Sequence, residues 1–333
     1  PLGELRKQDE AAILDQRVTL PDDVTAEGRL LHPADLRPAD PVAEDAYLAR
    51  WVEAFPAGYL AGMRLGVYQH SAVGRDLLVR LLTHFGATVM PLGRSSSFLP
   101  VDTEAIRDED LTLGHAWAHL HTLDAIVSTD GDSDRPLLAD EHGEWLRGDM
   151  LGVLCARFCR AEVVATPVSS NTAVERCGWF REVRRTRIGS PYVIEAMAGA
   201  AACGGCVVGY EANGGFLTAT PVPVGDAMLS ALPTRDPLIV HLAMLGMSRQ
   251  EGLPLSRLYS LLPSRRTASG HVQRIDPAAM RPWLARLAQD AVAVRAAFPW
   301  LGDMAACDLT DGVRLLCTNG DIVHLRLSGN APE

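Results

Sequence analysis

Apolar residues in the first half of the chain alternate between short continuous runs, typical of strands, and a three-to-four-residue spacing, typical of helices. Strands are predicted at 65–69, 87–92 and 123–128, and helices at 45–55, 76–85 and 103–121. Strands that alternate with helices indicate a parallel α/β organisation. The third strand runs directly into a group of acidic residues, which places polar side chains at the end of a buried strand.

The same alternation begins again near residue 150. Extended segments are predicted at 162–166, 182–188 and 206–210, and helices at 150–159, 171–178, 191–202 and within 226–247. The last part differs, because one helix is predicted over 278–297 and a hairpin at Asn319-Gly320 joins strands at 313–317 and 322–327. The predicted fold class is therefore α/β with tandem domains, followed by a C-terminal α+β domain with an antiparallel sheet.

These patterns divide the chain into four segments. The first segment, residues 1–43, is polar and rich in Pro and Asp, and it is interpreted as a lead-in or a remnant of the first domain. Three domains are predicted to follow it, at 44–150, 151–262 and 263–333. A chain of 333 residues with 47% hydrophobic and 22% charged residues has the composition of a globular protein with buried cores.

Charge and cysteine content narrow the class of protein. The formal net charge is −10, which argues against nucleic acid as a partner because phosphate backbones select Lys and Arg. No apolar run approaches the ~20 residues of a membrane span, and no secretory signal precedes the first domain. Seven cysteines without such a signal are interpreted as reduced thiols. We therefore expect a cytoplasmic protein without a membrane or obligatory protein partner.

The acidic loop, residues 130–135, carries the strongest chemical signal. Asp130, Asp132 and Asp134 alternate directly after an apolar strand, and Gly131 permits a tight turn. Three carboxylates this close stay ionised together only beside a cation, and ligands that offer only oxygen favour Mg²⁺. Arg135 follows and can bind a phosphate through two parallel hydrogen bonds. The alternative is a solvated acidic turn, but the strand context favours a metal site.

Two further segments offer weaker signals. The glycine-rich loop, residues 211–215, follows the strand at 206–210 and places Glu211 and Asn213 where they could bind neighbouring sugar hydroxyls. A simple turn with an exposed Glu explains that loop equally well. The segment that follows the last strand combines a guanidinium, a hydroxyl, a glycine and an amide, which suits a phosphate, although a strand running into a tail is the alternative: Arg326, Ser328, Gly329 and Asn330.

The three loops, in this order, resemble those of the α-D-phosphohexomutase family of phosphomannomutases and phosphoglucomutases. The acidic loop is similar to the family's metal loop. The segment 209–215, which contains the glycine-rich loop, resembles its sugar-binding loop, and 326–332 resembles its phosphate-binding loop. The segment 186–192, TRIGSPY, resembles the family loop that also contacts substrate, and it supplies Arg187, Gly189 and Ser190 as candidates. The resemblance covers nearly the whole chain.

This resemblance implies related α/β domains with mixed sheets around a cleft, Mg²⁺ as the cofactor, and a phosphorylated hexose as the substrate. The family reaction moves a phosphate between the 1- and 6-positions through a phosphoserine in the first domain. The resemblance assigns Arg135 to the transferring phosphate, Glu211 and Asn213 to the sugar, and the loop at Arg326 to the phosphate that does not react.

The chain also departs from the family pattern. The phosphoserine motif does not occur in it, so we expect the nucleophile to lie outside this chain and the chain alone to be inactive. Ser190 stands where many bacterial relatives have His, and Asn213 where Ser is common. The leading hypothesis is a phosphohexomutase, with phosphomannomutase favoured. The alternatives are a non-catalytic phosphosugar-binding protein and, less favoured, a metal-dependent phosphatase with Asp130 as nucleophile.

Overall fold

The computed structural model describes residues 3–5, 7–19, 21–32, 38, 40–270, 272 and 275–327. The first helix, α1 (Lys7–Leu14), contributes no buried residue. Among the described residues, no helix combines the length and the hydropathy that crossing a membrane would require.

The first α/β unit contains a four-stranded sheet of order β2-β1-β3-β4. Strands β1, β2 and β3 are parallel, and β4 runs antiparallel to β3. Every residue of β3 is buried, as expected for a central strand covered on both faces. The elements are α2 (Pro41–Ala54), β1 (Arg64–Tyr68), α3 (Arg75–His84), β2 (Thr88–Leu92), α4 (Asp108–His121), β3 (Ala125–Thr129) and β4 (Pro136–Ala139).

The second α/β unit repeats this topology, with a sheet of order β6-β5-β7-β8 in which only β8 is antiparallel to its neighbour. A short hairpin of β9 and β10 follows the sheet. The elements are α5 (Gly148–Phe158), β5 (Val163–Pro167), α6 (Ala173–Arg176), β6 (Glu182–Thr186), α7 (Ser190–Ala201), β7 (Val207–Tyr210), β8 (Phe216–Thr218), β9 (Val222–Val224) and β10 (Ala227–Leu229).

Helix α8 (Pro237–Glu251) joins the two units. It packs against α5, against β4 of the first sheet and against β8 of the second sheet. Its residues Pro237 to Met247 are all buried, and one apolar cluster includes residues of both sheets and of α8. The two units therefore share a core. Helix α9 (Leu255–Leu258) and a 3₁₀ turn (Tyr259–Leu261) follow α8.

The C-terminal unit has a core of its own and an antiparallel sheet of order β11-β12-β13. The prediction of one helix over 278–297 is wrong, because the structure has two. The first helix ends at Leu287, and Asp290 accepts hydrogen bonds from the amides of Val292 and Ala293, which caps the second helix. The predicted fold class is confirmed. The elements are α10 (Pro277–Leu287), α11 (Ala291–Ala297), β11 (Met304–Asp308), β12 (Val313–Cys317) and β13 (Ile322–Leu325).

Candidate functional site

The acidic loop connects β3 to β4 at the carboxyl end of β3, the edge where open α/β sheets form sites. The Asp130 amide donates to the Arg135 carbonyl at 3.2 Å and closes the loop. Oδ1 of Asp130 accepts hydrogen bonds from the amides of Asp134 and Arg135, each at 3.1 Å. The backbone therefore fixes the Asp130 carboxylate through Oδ1, and the other oxygen, Oδ2, lies 3.6 Å from Nε of Arg135.

The three aspartates of the acidic loop could hold a cation. One carboxylate oxygen from each of Asp130, Asp132 and Asp134 lies within 4.8 Å of the others. Oδ1 of Asp134 is buried and makes no hydrogen bond. A buried carboxylate oxygen without a donor is costly unless a ligand satisfies it, so the donor set fits a hard divalent cation.

Arg135 lies beside these carboxylates without a close partner. Its Nε atom is 3.6 Å from Oδ2 of Asp130 and 3.7 Å from Oδ1 of Asp134, and it makes no hydrogen bond although it is buried. The Arg135 side chain as a whole is 38% exposed, so its guanidinium is within reach of an incoming anion.

The carboxylates of this site are poorly compensated by positive charge. Burial raises the pKa of Asp130 to about 6, and the neighbouring Asp134 and Asp132 carboxylates add to this rise. Burial also raises the pKa of Asp134 and of Glu211 in the glycine-rich loop. A bound cation would reverse these shifts, because it favours the charged form of each carboxyl group.

The glycine-rich loop occupies the same position in the second sheet, between β7 and antiparallel β8. Glu211 is only 5% exposed, whereas the alternative of a simple turn predicted an exposed Glu side chain at this position. The Oε2 atom of Glu211 makes no hydrogen bond. Oδ1 of Asn213 accepts from the Gly215 amide at 2.9 Å, so part of this side chain holds the loop itself. The Asn213 carbonyl accepts from Oγ1 of Thr103, a residue of the first unit.

Arg235 connects the two loops, and sequence patterns alone would mark it only as an arginine before a helix. It directly precedes Asp236, whose side chain caps α8. Its guanidinium lies 2.8 Å from Oδ2 of Asp134 and 3.7 Å from Oε2 of Glu211. Its Nε atom donates to Glu4 at 3.2 Å. The metal and sugar candidates predicted from separate segments are thus bridged by one side chain.

A second group of predicted residues meets at the C-terminal unit. Arg187 donates from Nε to the Thr310 carbonyl at 3.1 Å. Asp311 accepts from the Ile188 amide at 2.8 Å and lies 3.5 Å from Nε of Arg326. Asp311 therefore joins the loop after β6 to the strand end at Arg326, and it was not among the sequence candidates.

The remaining candidates divide between described and undescribed residues. Gly189 precedes α7 with φ of +128°, a conformation that favours glycine, and Ser190 is the buried first residue of that helix. Ser328, Gly329 and Asn330 lie outside the described residues.

Comparison with known proteins identifies the family. The model for phosphoglucomutase/phosphomannomutase alpha/beta/alpha domain II matches residues 45–143, and the model for domain III matches residues 147–265. A phosphomannomutase of Salmonella muenchen is 40% identical over 100% of this chain and 68% of its own length. The chain belongs to the α-D-phosphohexomutase family. A phosphomannomutase of Sinorhizobium fredii is 42% identical over 100% of this chain and 70% of its own length.

Solved structures of phosphohexomutases share the fold. A phosphoglucomutase/phosphomannomutase family protein from Burkholderia thailandensis superposes with a TM-score of 0.65 at 17% identity, over 87% of this chain and 58% of that chain. Family membership confirms the resemblance inferred from the loops and the prediction of an intramolecular phosphotransferase. The domain II match of this phosphohexomutase contains the acidic loop, and the domain III match contains the glycine-rich loop and Arg235.

Proposed function

We propose that this phosphohexomutase interconverts hexose 1-phosphate and hexose 6-phosphate, with mannose as the preferred sugar. Two relatives that match the whole chain at 40% and 42% identity are phosphomannomutases, which supports the choice of sugar. The observation that carries the chemistry is a set of three buried polar atoms without hydrogen bonds: Oδ1 of Asp134 and Nε of Arg135, which are 3.7 Å apart, and Oε2 of Glu211, which Arg235 links to Asp134.

In this proposal the acidic loop binds Mg²⁺ through Asp130, Asp132 and Asp134. The ion would neutralise charge on the oxygens of the transferring phosphate, which is the main requirement of phosphoryl transfer. Arg135 would donate from its unpaired Nε to the same phosphate and orient it. The phosphoserine expected from the family resemblance supplies the phosphoryl group and is not among this chain's residues.

The glycine-rich loop would bind the sugar. The Glu211 carboxylate accepts hydrogen bonds from sugar hydroxyls, because its Oε2 has no protein donor within hydrogen-bonding distance. Asn213 would contribute its amide NH₂, since its Oδ1 already accepts from Gly215. A buried polar group left unpaired without its ligand gives strong discrimination against analogues that lack the matching hydroxyl.

The phosphate that does not react would lie between the loop after β6 and the C-terminal unit. Arg187, Gly189 and Ser190 contribute from the loop, and Arg326, Ser328, Gly329 and Asn330 from the strand end. The contacts through Asp311 support this assignment, because they hold Arg326 close to Ile188.

The test is calorimetric titration of the chain with mannose 6-phosphate and mannose 1-phosphate, with and without Mg²⁺, alongside their glucose counterparts. We expect mannose phosphates to bind most tightly. Asp132→Asn should weaken Mg²⁺ binding by about tenfold or more, because it removes one of three anionic ligands. Asp132 is exposed, so the fold should tolerate the change.

Asp45→Asn, an exposed carboxylate on α2, is the matched control and should change neither affinity. Failure of the wild-type chain to bind any hexose phosphate would refute the proposal. Phosphorus NMR of mannose 1-phosphate with a hexose bisphosphate, carried out on a longer protein that includes the phosphoserine-bearing domain, then distinguishes the mutase from the non-catalytic alternative. Binding without interconversion would favour the non-catalytic phosphosugar-binding protein.

A further inference from the structure

We propose that Arg235 couples the two loops as a positioning residue: it weakens the cation affinity of the acidic loop and holds Glu211 ready for the sugar. This inference rests on the proposed function for its sugar half. Its metal half depends only on the charges around the acidic loop.

The contacts of Arg235 place it between two sites rather than within one. Asp134 belongs to the first α/β unit and Glu211 to the second, and the guanidinium approaches a carboxylate of each at 2.8 Å and 3.7 Å. The side chain is 21% exposed, so these interactions are only partly screened by solvent. A change in either carboxylate is therefore felt at the other through one shared cation.

The two oxygens of Asp134 have different partners. Arg235 holds Oδ2, whereas Oδ1 makes no hydrogen bond and remains available to a cation. A divalent ion on Oδ1 would share its carboxylate with a guanidinium, and the two positive charges repel. Arg235 thus lowers the cation affinity that three aspartates would otherwise have.

The effect of Arg235 on sugar binding by the glycine-rich loop is the opposite: Arg235 increases the affinity for the sugar. Five carboxylates, those of Asp130, Asp132, Asp134, Glu211 and Glu4, surround two guanidiniums, those of Arg135 and Arg235. Without Arg235, the negative potential at this place increases and repels a phosphorylated sugar. Glu211 also loses the cation nearest to its Oε2, which leaves its orientation to the loop backbone alone.

These opposite signs separate coupling from a merely structural role. Arg235 also binds Glu4 and precedes the cap of α8, so its loss could simply loosen the fold. A loosened fold would weaken the binding of both ligands. Coupling predicts that one affinity rises while the other falls.

The experiment measures Mn²⁺ binding by electron paramagnetic resonance and mannose 6-phosphate binding by calorimetry, for the wild type, Arg235→Gln and Arg235→Lys. In Arg235→Gln we expect Mn²⁺ to bind about three- to tenfold tighter, from the loss of a nearby positive charge. Mannose 6-phosphate should bind about tenfold more weakly. Arg235→Lys keeps the charge and should restore the wild-type Mn²⁺ affinity while only partly restoring sugar binding, because Lys lacks the planar fork.

Arg107→Gln is the matched control, because Arg107 donates its hydrogen bonds to a buried carboxylate that belongs to neither loop, that of Asp110. It should lower the melting temperature and leave both affinities unchanged. The proposal is overturned if Arg235→Gln lowers both affinities together or leaves the Mn²⁺ affinity unchanged. A wild-type chain that binds Mn²⁺ but not mannose 6-phosphate would refute the proposed function, and the Mn²⁺ comparison would still decide whether Arg235 opposes the cation.

Discussion

The acidic loop and the glycine-rich loop occupy the same place in two sheets of the same topology, yet their side chains and their burial differ. Each connects the third parallel strand to an antiparallel neighbour. Each is closed by a hydrogen bond from the amide of its first residue to the carbonyl of its last, at 3.2 Å for Asp130 and 2.9 Å for Glu211. The topology therefore fixes where a site forms, and the side chains and their surroundings decide its chemistry.

The difference lies in what covers the two loops. Residues 211–215 are all buried, whereas Asp132 of the acidic loop is exposed. Gly148 of α5 packs closely against the glycine-rich loop, and Thr103 donates a hydrogen bond to its backbone. This difference agrees with the proposed function, in which the glycine-rich loop binds sugar hydroxyls and benefits from rigidity, while the acidic loop admits an ion and a phosphate from solvent. The same sheet topology thus supports one buried loop, the glycine-rich loop, and one solvent-accessible loop, the acidic loop.

The largest expected effect tests that contrast through packing. Gly148→Ala would place Cβ 2.4 Å from the Gly214 amide nitrogen, and backbone cannot yield as a side chain does. We expect a loss of about 3 kcal/mol in the free energy of unfolding, seen as a fall of roughly 5–10 °C in melting temperature. Gly131→Ala in the acidic loop meets only the exposed ring of Phe98, at 3.3 Å, and should cost less than about 0.5 kcal/mol. Equal losses would mean that the two loops are equally confined.

A smaller effect sharpens the contrast through charge. The pKa of Asp130 is raised to about 6, so below that pH a cation must displace a proton to bind. Mg²⁺ affinity should therefore fall by about tenfold for each pH unit below 6 and level off above it. Without the cation, the raised pKa adds stability below about pH 4 that is lost as pH rises through 6. Melting curves at pH 5 and pH 8 should thus show the larger Mg²⁺ stabilisation at pH 8, and equal stabilisation would contradict the assignment.

The smallest effect concerns the contact that holds the glycine-rich loop to the first unit. Thr103→Val removes the hydrogen bond from Oγ1 to the Asn213 carbonyl and leaves that carbonyl unpaired in a buried place. We expect about 1 kcal/mol of destabilisation by chemical denaturation. Thr112→Val is the control, since its exposed hydroxyl bonds only to the Asp108 carbonyl one helical turn earlier. An equal change in both variants would show that Thr103 has no special role at the loop.

The acidic loop could be predicted from the sequence because its information is local. A continuous apolar run identified β3, and the alternating aspartates directly after it indicated a metal site. Short elements were harder, since β4 and β8 have four and three residues and carry no periodicity of their own. The break in the C-terminal helix was missed because helical spacing continues across it, while a single Asp290 side chain caps the second helix.

Contacts between segments that are distant in the chain could not be predicted from the sequence. Arg235 and Asp311 each stand in ordinary loop sequence, and their importance comes from partners far away in the chain. An arginine before a helix cap is common, so only the fold shows that this one reaches both Asp134 and Glu211. Neither the spacing of residues nor the pattern of charges predicts that one arginine contacts two carboxylates from different α/β units.

The core shared through α8 has a consequence for how quickly a substrate can be recognised. Two separately folded units would reorient against each other, and each encounter would have to wait until both loops faced the ligand. Here α8 packs on both sheets, so that orientational freedom is given up once, during folding, rather than at every encounter. The C-terminal unit keeps its own core, and units that do not share a core are the ones expected to move relative to each other.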